Sequence, residues 1–393
     1  MGIGIQMVVF AWLVTIVLRE PAEFVGWAQT ALLLPGTLLI LIAGAMADRV
    51  GPDRQAIVAQ LVAAAVPWLL IAALALDALS YEIMLLYAVI MGCAQAYVTP
   101  ARDGLLNHVA EDRVQRLVLL TSLCQFSFQI VGVTIAGFTD RFGGEVVLAM
   151  QSACMLVGVF AYAWIRRSGS VPTMPKMRGI SNMLASVREG AATVMASPVM
   201  RIVVVQNVAT ALFFMGCFVV CFPLVVREVF DGSSGDIAVL NGFNSAGLVL
   251  TILIMLRVGY VRRAGRALLM FHGIGGLVLL SAGFSGSFPL FVGLIFLWGL
   301  CGGIAMPMSR TLMQELAPPE QRARVMSFYA FSFMGAGPLG TLFCGYLSEL
   351  VGPQTAIIVC GASMLLVMVV VSLTSQLWGS ELPGSDANRE AAA

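Results

Sequence analysis

Two apolar runs, VGWAQTALLLPGTLLILIAGAMA (25–47) and QAIVAQLVAAAVPWLLIAALAL (55–76), flank the charged turn DRVGPDR (48–54). The same pattern recurs along the chain: a long apolar run, then a short polar break. The runs are continuous and show no alternation at period two, which predicts helices and excludes lipid-embedded strands. A helix needs about 20 apolar residues to cross the hydrocarbon core. Runs near 2–18, 26–47, 55–76, 83–101, 118–139 and 145–165 predict spans one to six. Runs near 202–226, 236–256, 265–284, 287–308, 325–348 and 354–377 predict spans seven to twelve. Within the polar segment 166–200, SNMLASVREGAATVMASPVM is amphipathic and predicts a helix on the inner membrane surface.

Composition supports a membrane protein. Of 393 residues, 59% are hydrophobic and 11% charged, where a soluble domain carries roughly 25% charged residues. The net charge of +1 gives no basic field for nucleic acid. The eight cysteines lie in apolar runs without a C-x-x-C pair, and read as packing residues rather than metal ligands. With the N-terminus inside, every basic residue except Arg19, Arg141 and Arg227 falls on the cytoplasmic side. This positive-inside bias predicts an even number of spans and both termini in the cytoplasm.

The chain repeats itself. PARDGLLNHVAEDRVQRLV, from Pro100, matches PMSRTLMQELAPPEQRARV, from Pro307; ADRVGP (47–52) aligns with VRRAGR (261–266). The expected organisation is a six-helix half at 1–165, a linker at 166–200, a second half at 201–378 and a disordered cytoplasmic tail at 379–393. Repeated halves with a substrate site between them are the mark of transporters. The end of span one resembles the end of span seven, so the counterpart of the start of span seven falls before Met1. The native chain is therefore expected to begin upstream.

Gly44, Asp48, Arg49 and Gly51 have the spacing G-x-x-x-D-R-x-G between spans two and three. This resembles the signature of the major facilitator superfamily. IQMVVFAWLV, TPARDGLLNHVAEDRVQRLVLLTSL and MQELAPPEQRARVMSFYAFSFMGAGPLGTLFCGYLSELVGP resemble the branch holding the enterobactin exporter and macrolide efflux proteins. The resemblance covers essentially the whole chain. It implies an all-α membrane fold of twelve helices in two pseudo-symmetric halves. It also implies that Asp48 locks the cytoplasmic side through a breakable bond near the start of span eleven, at Arg324 to Ser327. Pro52 replaces the usual base of the motif, and Arg262 stands at Asp48's counterpart. Ala88 stands where drug antiporters carry a helix-four arginine, and Val133 replaces a helix-five proline. These departures weaken the case for proton antiport.

Intramembrane ionisable groups are usually functional, yet the acids Glu23, Asp48, Glu82, Asp140, Glu228, Asp236 and Glu349 all sit at span ends. His272 is the one mid-span titratable group, and its place on the peripheral span nine favours packing over proton relay. The resemblance places spans one, four, seven and ten around the cavity, with two, five, eight and eleven beside them. The candidate lining is Gln6, Trp12, Gln95, Gln125, Gln129, Gln206, Asn207, Asn241, Asn244 and Trp298. Interhelical hydrogen bonding is the competing role for each amide. An uncharged cavity suits a neutral or amphipathic solute. GAGPLG (335–340) fits a dinucleotide fingerprint, but no strand precedes it; helix packing and a hinge at Pro338 explain it. No nucleophile–base set, metal spacing or phosphate loop points to an enzyme, and no cofactor is expected.

The expectation is a monomeric exporter of a small amphipathic, drug- or siderophore-like molecule in a bacterial inner membrane. It would work by alternating access, with proton coupling left open. A lysophospholipid or metabolite carrier, or a non-transporting receptor or assembly factor on the same fold, are the alternatives.

Overall fold

The computed structural model describes residues 1–109, 114–167, 180–258, 263–318 and 321–375; at 40, 41, 45, 47–49, 103–109, 114–122, 180–187, 258 and 323 it describes the backbone alone. The expected tail at 379–393, most of the linker before Ile180, and Arg262 lie outside the described residues. Among the described residues the chain is helical, with no strand. Among the described residues nine helices are long and apolar enough to cross a membrane, and Gly2–Val17 and Leu123–Ala136 are shorter apolar helices. With Ala22–Val50, which holds span two, these account for the twelve predicted runs.

Two helices overrun their predicted ends for one reason. Span four runs over Tyr81–Val109 and span ten over Phe288–Leu316, 29 residues each. Pro100 and Pro307 lie inside them rather than in loops. A proline within a helix removes one backbone bond but need not end it where neighbouring helices hold both sides. Each proline is the twentieth residue of its helix, so the repeat seen in sequence is also a repeat of helix length.

The chain forms two compact units, Met1–Leu184 with Phe222–Gly242, and Ala185–Cys221 with Phe243–Ala393. Within the first, span two packs on span four, span three on four and six, and span one on five. Within the second, span nine (Ala264–Gly283) packs on ten and twelve (Pro353–Thr374). Span eleven (Arg322–Val351) packs on span seven (Pro198–Glu228). Three-on-four-and-six thus matches nine-on-ten-and-twelve, and one-on-five matches seven-on-eleven. Both of the latter crossings are made by glycines. A Cβ on Gly4 would lie 2.3 Å from the Gln129 carbonyl oxygen, and one on Gly340 would lie 2.6 Å from that of Leu212. Without a hydrophobic force between helices in lipid, such close backbone approach is a main source of association. Gly340 closes GAGPLG, so the packing role expected for that stretch matches its contacts.

The repeat counterparts one and seven share a feature that the sequence did not announce. Span one ends in a π-helical turn, Leu13–Val17, and span seven contains two, Thr210–Met215 and Cys217–Cys221. Such turns insert a residue into the helical ladder and often mark functional sites.

The glycine crossing is testable against an open position. Gly340→Ala should lower the melting temperature in detergent by several degrees, because the neighbour to be displaced is backbone. Gly273→Ala, with nothing within 4 Å of the added carbon, should leave it unchanged or slightly raised.

Candidate functional site

The Gly44–Gly51 stretch ends span two as helix and reverses the chain at Gly51 into span three. Gly51 has φ +96°, a conformation that disfavours any side chain, and Pro52 starts the next helix (Pro52–Ala75) with its φ already set. The first helix runs through Asp48 and Arg49 to Val50; the side chains of Asp48 and Arg49 lie outside the described residues. Gln55, not nominated from sequence, is buried one turn beyond. Its Nε2 donates to the carbonyls of Ala43 on span two, at 2.8 Å, and Tyr97 on span four, at 3.0 Å. Its Oε1 has no partner among the described residues. A glutamine one turn into an apolar helix was the available signal. At the same end, Arg166 Nε lies 3.3 Å from Asp53, joining spans six (Gly144–Arg167) and three.

Arg324, the first residue of the stretch 324–327 expected to meet Asp48, is ion-paired with Glu189 of the linker helix Ile180–Ala196. Thr193 of that helix bonds to Gln321, and Gly190 abuts the Arg324 carbonyl. The linker helix is therefore fastened to the start of span eleven within the second unit.

The candidate lining residues fall into several separate arrangements. In the first unit Gln95 Nε2 donates to Gln6 Oε1 at 2.8 Å, pairing spans four and one. Gln125 lies 3.5 Å from Arg102 Nη1, and Gln129 contacts Met7 sulfur at 3.3 Å. Asn241 is turned back onto its own helix, at the Ile237 carbonyl. In the second unit Asn207 donates to the Tyr329 carbonyl at 3.0 Å and to Ser332 Oγ at 2.9 Å. Gln206 lies 2.8 Å from His272 Nδ1, and Thr210 lies 3.0 Å from its Nε2. His272 is thus buried against span seven, and packing is the role these contacts give it. Asn244 packs against Gly299, and Trp298 stacks edge-on against Phe214 at 5.4 Å. Most of these amides already have interhelical or same-helix partners.

Trp12 lies toward the end of span one, not in its middle. Its indole N–H donates to Asp140 Oδ1 at 3.0 Å. Asp140 Oδ2 also accepts from Ser234 N (2.9 Å) and Oγ (2.7 Å), where span eight (Ser234–Val258) begins. A carboxylate at a helix N-terminus is well placed for this. Nearby, Arg227 at the end of span seven donates to the carbonyls of Thr15 (3.1 Å) and Glu20 (2.6 Å) and pairs with Glu228. The π-helical turn and its exit leave those carbonyls open to an outside donor. All these residues belong to the first unit, so the end of span seven and the start of span eight are part of it.

A cavity of about 690 Å³ opens between spans two and four in the first unit, lined by Phe24, Trp27, Leu34 and Tyr81 among others. None of the candidate lining residues contributes to it. The missed signal was helical spacing: Phe24, Trp27, Ala31, Leu34, Pro35 and Leu38 fall on one face of span two. Among the described residues no group of three or more His, Cys, Asp or Glu is arranged to hold a metal.

Twelve helical runs in a repeated two-fold arrangement, with a signature turn between the second and third, define a transporter of the major facilitator type. The chain belongs to the transmembrane secretion effector family, whose model matches residues 1–390. It is 28% identical over 395 residues to the multidrug efflux pump Tap of Mycolicibacterium fortuitum, covering 96% of this chain and 93% of that one. It is 22% identical to the uncharacterized transporter YfiS of Bacillus subtilis, over 73% of this chain and 70% of that one. Among solved structures, the human organic anion transporter MFSD10 shares the fold with TM-score 0.64 and 13% identity, covering 94% of this chain and 97% of that one. The nucleoside transporter NupG does so with TM-score 0.63 and 13% identity, covering 95% and 98%. The protein is a multi-pass membrane transporter of small molecules and not an enzyme.

Gln55→Leu tests whether the motif turn depends on its hidden tie. Two interhelical bonds at about 0.6 kcal/mol each predict a loss of roughly 1 kcal/mol. This should be read as a lower melting temperature in detergent, together with reduced transport.

Proposed function

We propose that the protein exports small amphipathic molecules from a bacterial cell, across the inner membrane, with both termini in the cytoplasm and as a monomer. The observation that carries this reading is the similarity to a multidrug efflux pump along 96% of the chain. The geometry supplies what alternating access needs, which is ties that can break without unfolding a helix. Arg227 on the span-one carbonyls and Asp140 on Ser234 are such ties at one end of the helices. At the other end, the Gly44–Gly51 turn and the fastened linker helix are the parts that would exchange partners. The two sequence halves, 1–165 and 201–378, would rock about the amide-bearing spans. Gln6, Gln95, Gln125 and Gln129 of one half, with Gln206, Asn207, Asn241 and Asn244 of the other, would meet the solute when their present partners are released. Trp12 and Trp298 would bound the path. Protons are the coupling ion considered, and Asp48 is the motif acid whose loss should impair cycling.

Accumulation of fluorescent amphiphiles in efflux-deficient cells tests this directly. Cells making the protein should hold less dye than controls, and Asp48→Asn should return accumulation most of the way to the control level. Loss of the difference on adding a protonophore would identify proton coupling. No difference for any amphiphile in the panel would overturn the export reading.

A further inference from the structure

The cavity between spans two and four has the chemistry of a site for one kind of solute. Its wall is apolar and aromatic, and it follows span two from Phe24 to Leu39, roughly 20 Å of helix at 1.5 Å per residue. Its volume of about 690 Å³ lies within the range of small-molecule sites, about 300–1,000 Å³. The two hydroxyls on its wall are engaged: Tyr81 donates to the Phe24 carbonyl at 2.8 Å, and Thr30 to that of Gly26 at 2.8 Å. Phe24 and Tyr81 meet edge to face at 5.1 Å. Pro35 withholds the N–H that would bond the Ala31 carbonyl, and Ala31 lines the cavity. Behind, Gly92 lets span four close on Leu32 and Pro35, where a Cβ would lie 2.3 Å from the Leu32 oxygen.

The rim carries the opposite character. Glu20 and Glu23 act electrostatically on Tyr81, and Glu82 acts on Glu20. Glu23 precedes Phe24 and Glu82 follows Tyr81, and Tyr81 bonds the Phe24 carbonyl, so with Glu20 three carboxylates sit at the Phe24–Tyr81 end of the cavity. Arg227 reaches Glu20 only through its backbone oxygen and is itself paired with Glu228. An aromatic wall under an acidic rim complements a cation with a large apolar body, through charge and through the faces of the rings.

We propose that this cavity binds a lipophilic organic cation, its apolar body along Phe24, Trp27 and Leu34 and its charge at the rim of Glu20, Glu23 and Glu82. The proposal rests on the export reading and names the solute class. An anion is disfavoured by the rim, and a strongly polar neutral solute by a wall whose hydroxyls are already bonded. The rim also links binding to protons. Burial, and then the neighbouring Glu82, push the Glu20 carboxyl above its usual range. Glu82 and Tyr81 on span four act on it electrostatically, Arg227 at the end of span seven bonds its backbone carbonyl and is paired with Glu228, and Glu23 at the start of span two is a further nearby charge in the chain. A bound cation favours the ionised carboxylate, so binding releases a proton and strengthens as pH rises through the Glu20 range.

The test uses the full chain in phosphatidylcholine nanodiscs, with tetraphenylphosphonium against tetraphenylborate, a pair alike in size and opposite in charge. The cation should bind above the empty-disc background and the anion should not. The Glu23→Gln/Glu82→Gln pair and Trp27→Ala should each weaken binding by about tenfold, the size expected of a partly desolvated cation contact. Phe160→Ala, on an exposed face of span six, should leave it unchanged. Affinity should fall from pH 8 to pH 5, and Glu20→Gln should flatten that dependence. Melting temperatures of the variants separate lost binding from lost fold. Equal binding of both probes, or binding indifferent to both site variants, would overturn the proposal and leave a groove filled by lipid tails. Site-dependent binding without efflux in cells would sustain the cavity and sink the export reading. Efflux of the cation with binding blind to these residues would do the reverse.

Discussion

Hydrocarbon offers no partner for a backbone N–H or C=O, and everything else in this structure follows from that. Each span must satisfy its backbone within a helix. Much of the polar chemistry then gathers where the helix fails: at its ends, its prolines and its π-helical turns. The most informative contacts lie there. Arg227 takes carbonyls at the end of span one, Asp140 takes the first N–H of span eight, and Gln55 takes carbonyls from two neighbours beside the Gly44–Gly51 turn. Within the spans, backbone contact through glycine, as at Gly4 and Gly340, joins amide bonds such as Gln6–Gln95.

Much of this was legible in the sequence because the bilayer imposes a simple code. Run length gave the twelve helices, and the matched stretches around Pro100 and Pro307 gave a repeat that reappears as two 29-residue helices. What the code omits is how a helix ends. The two prolines read as loop starts because local propensity cannot see neighbours that hold a helix together on both sides. The π-helical turns left no pattern, since an inserted backbone residue changes no side chain.

The candidate site was less legible, for a related reason. An amide in an apolar run reads equally well as lining or as glue, and only geometry separates the two. Gln206 and Asn207 are spent on His272 and on Tyr329 with Ser332, while Gln6 and Gln95 are spent on each other. An open apolar cavity lies elsewhere, on a face of span two marked by Phe24, Trp27 and Leu34. Aromatic residues at helical spacing look like ordinary core until the opposing helix is seen to leave room.

Arg227 holds main-chain oxygens of span one, not side chains. Replacement of Thr15 or Glu20 alters what surrounds the guanidinium but cannot delete its acceptors, which every amino acid supplies. The fastening therefore tolerates drift at two of its three positions and is vulnerable at one. Lineages selected for new solutes can vary the end of span one freely while Arg227 stays in place. In this design the freedom to diversify and the ability to close reside in different residues.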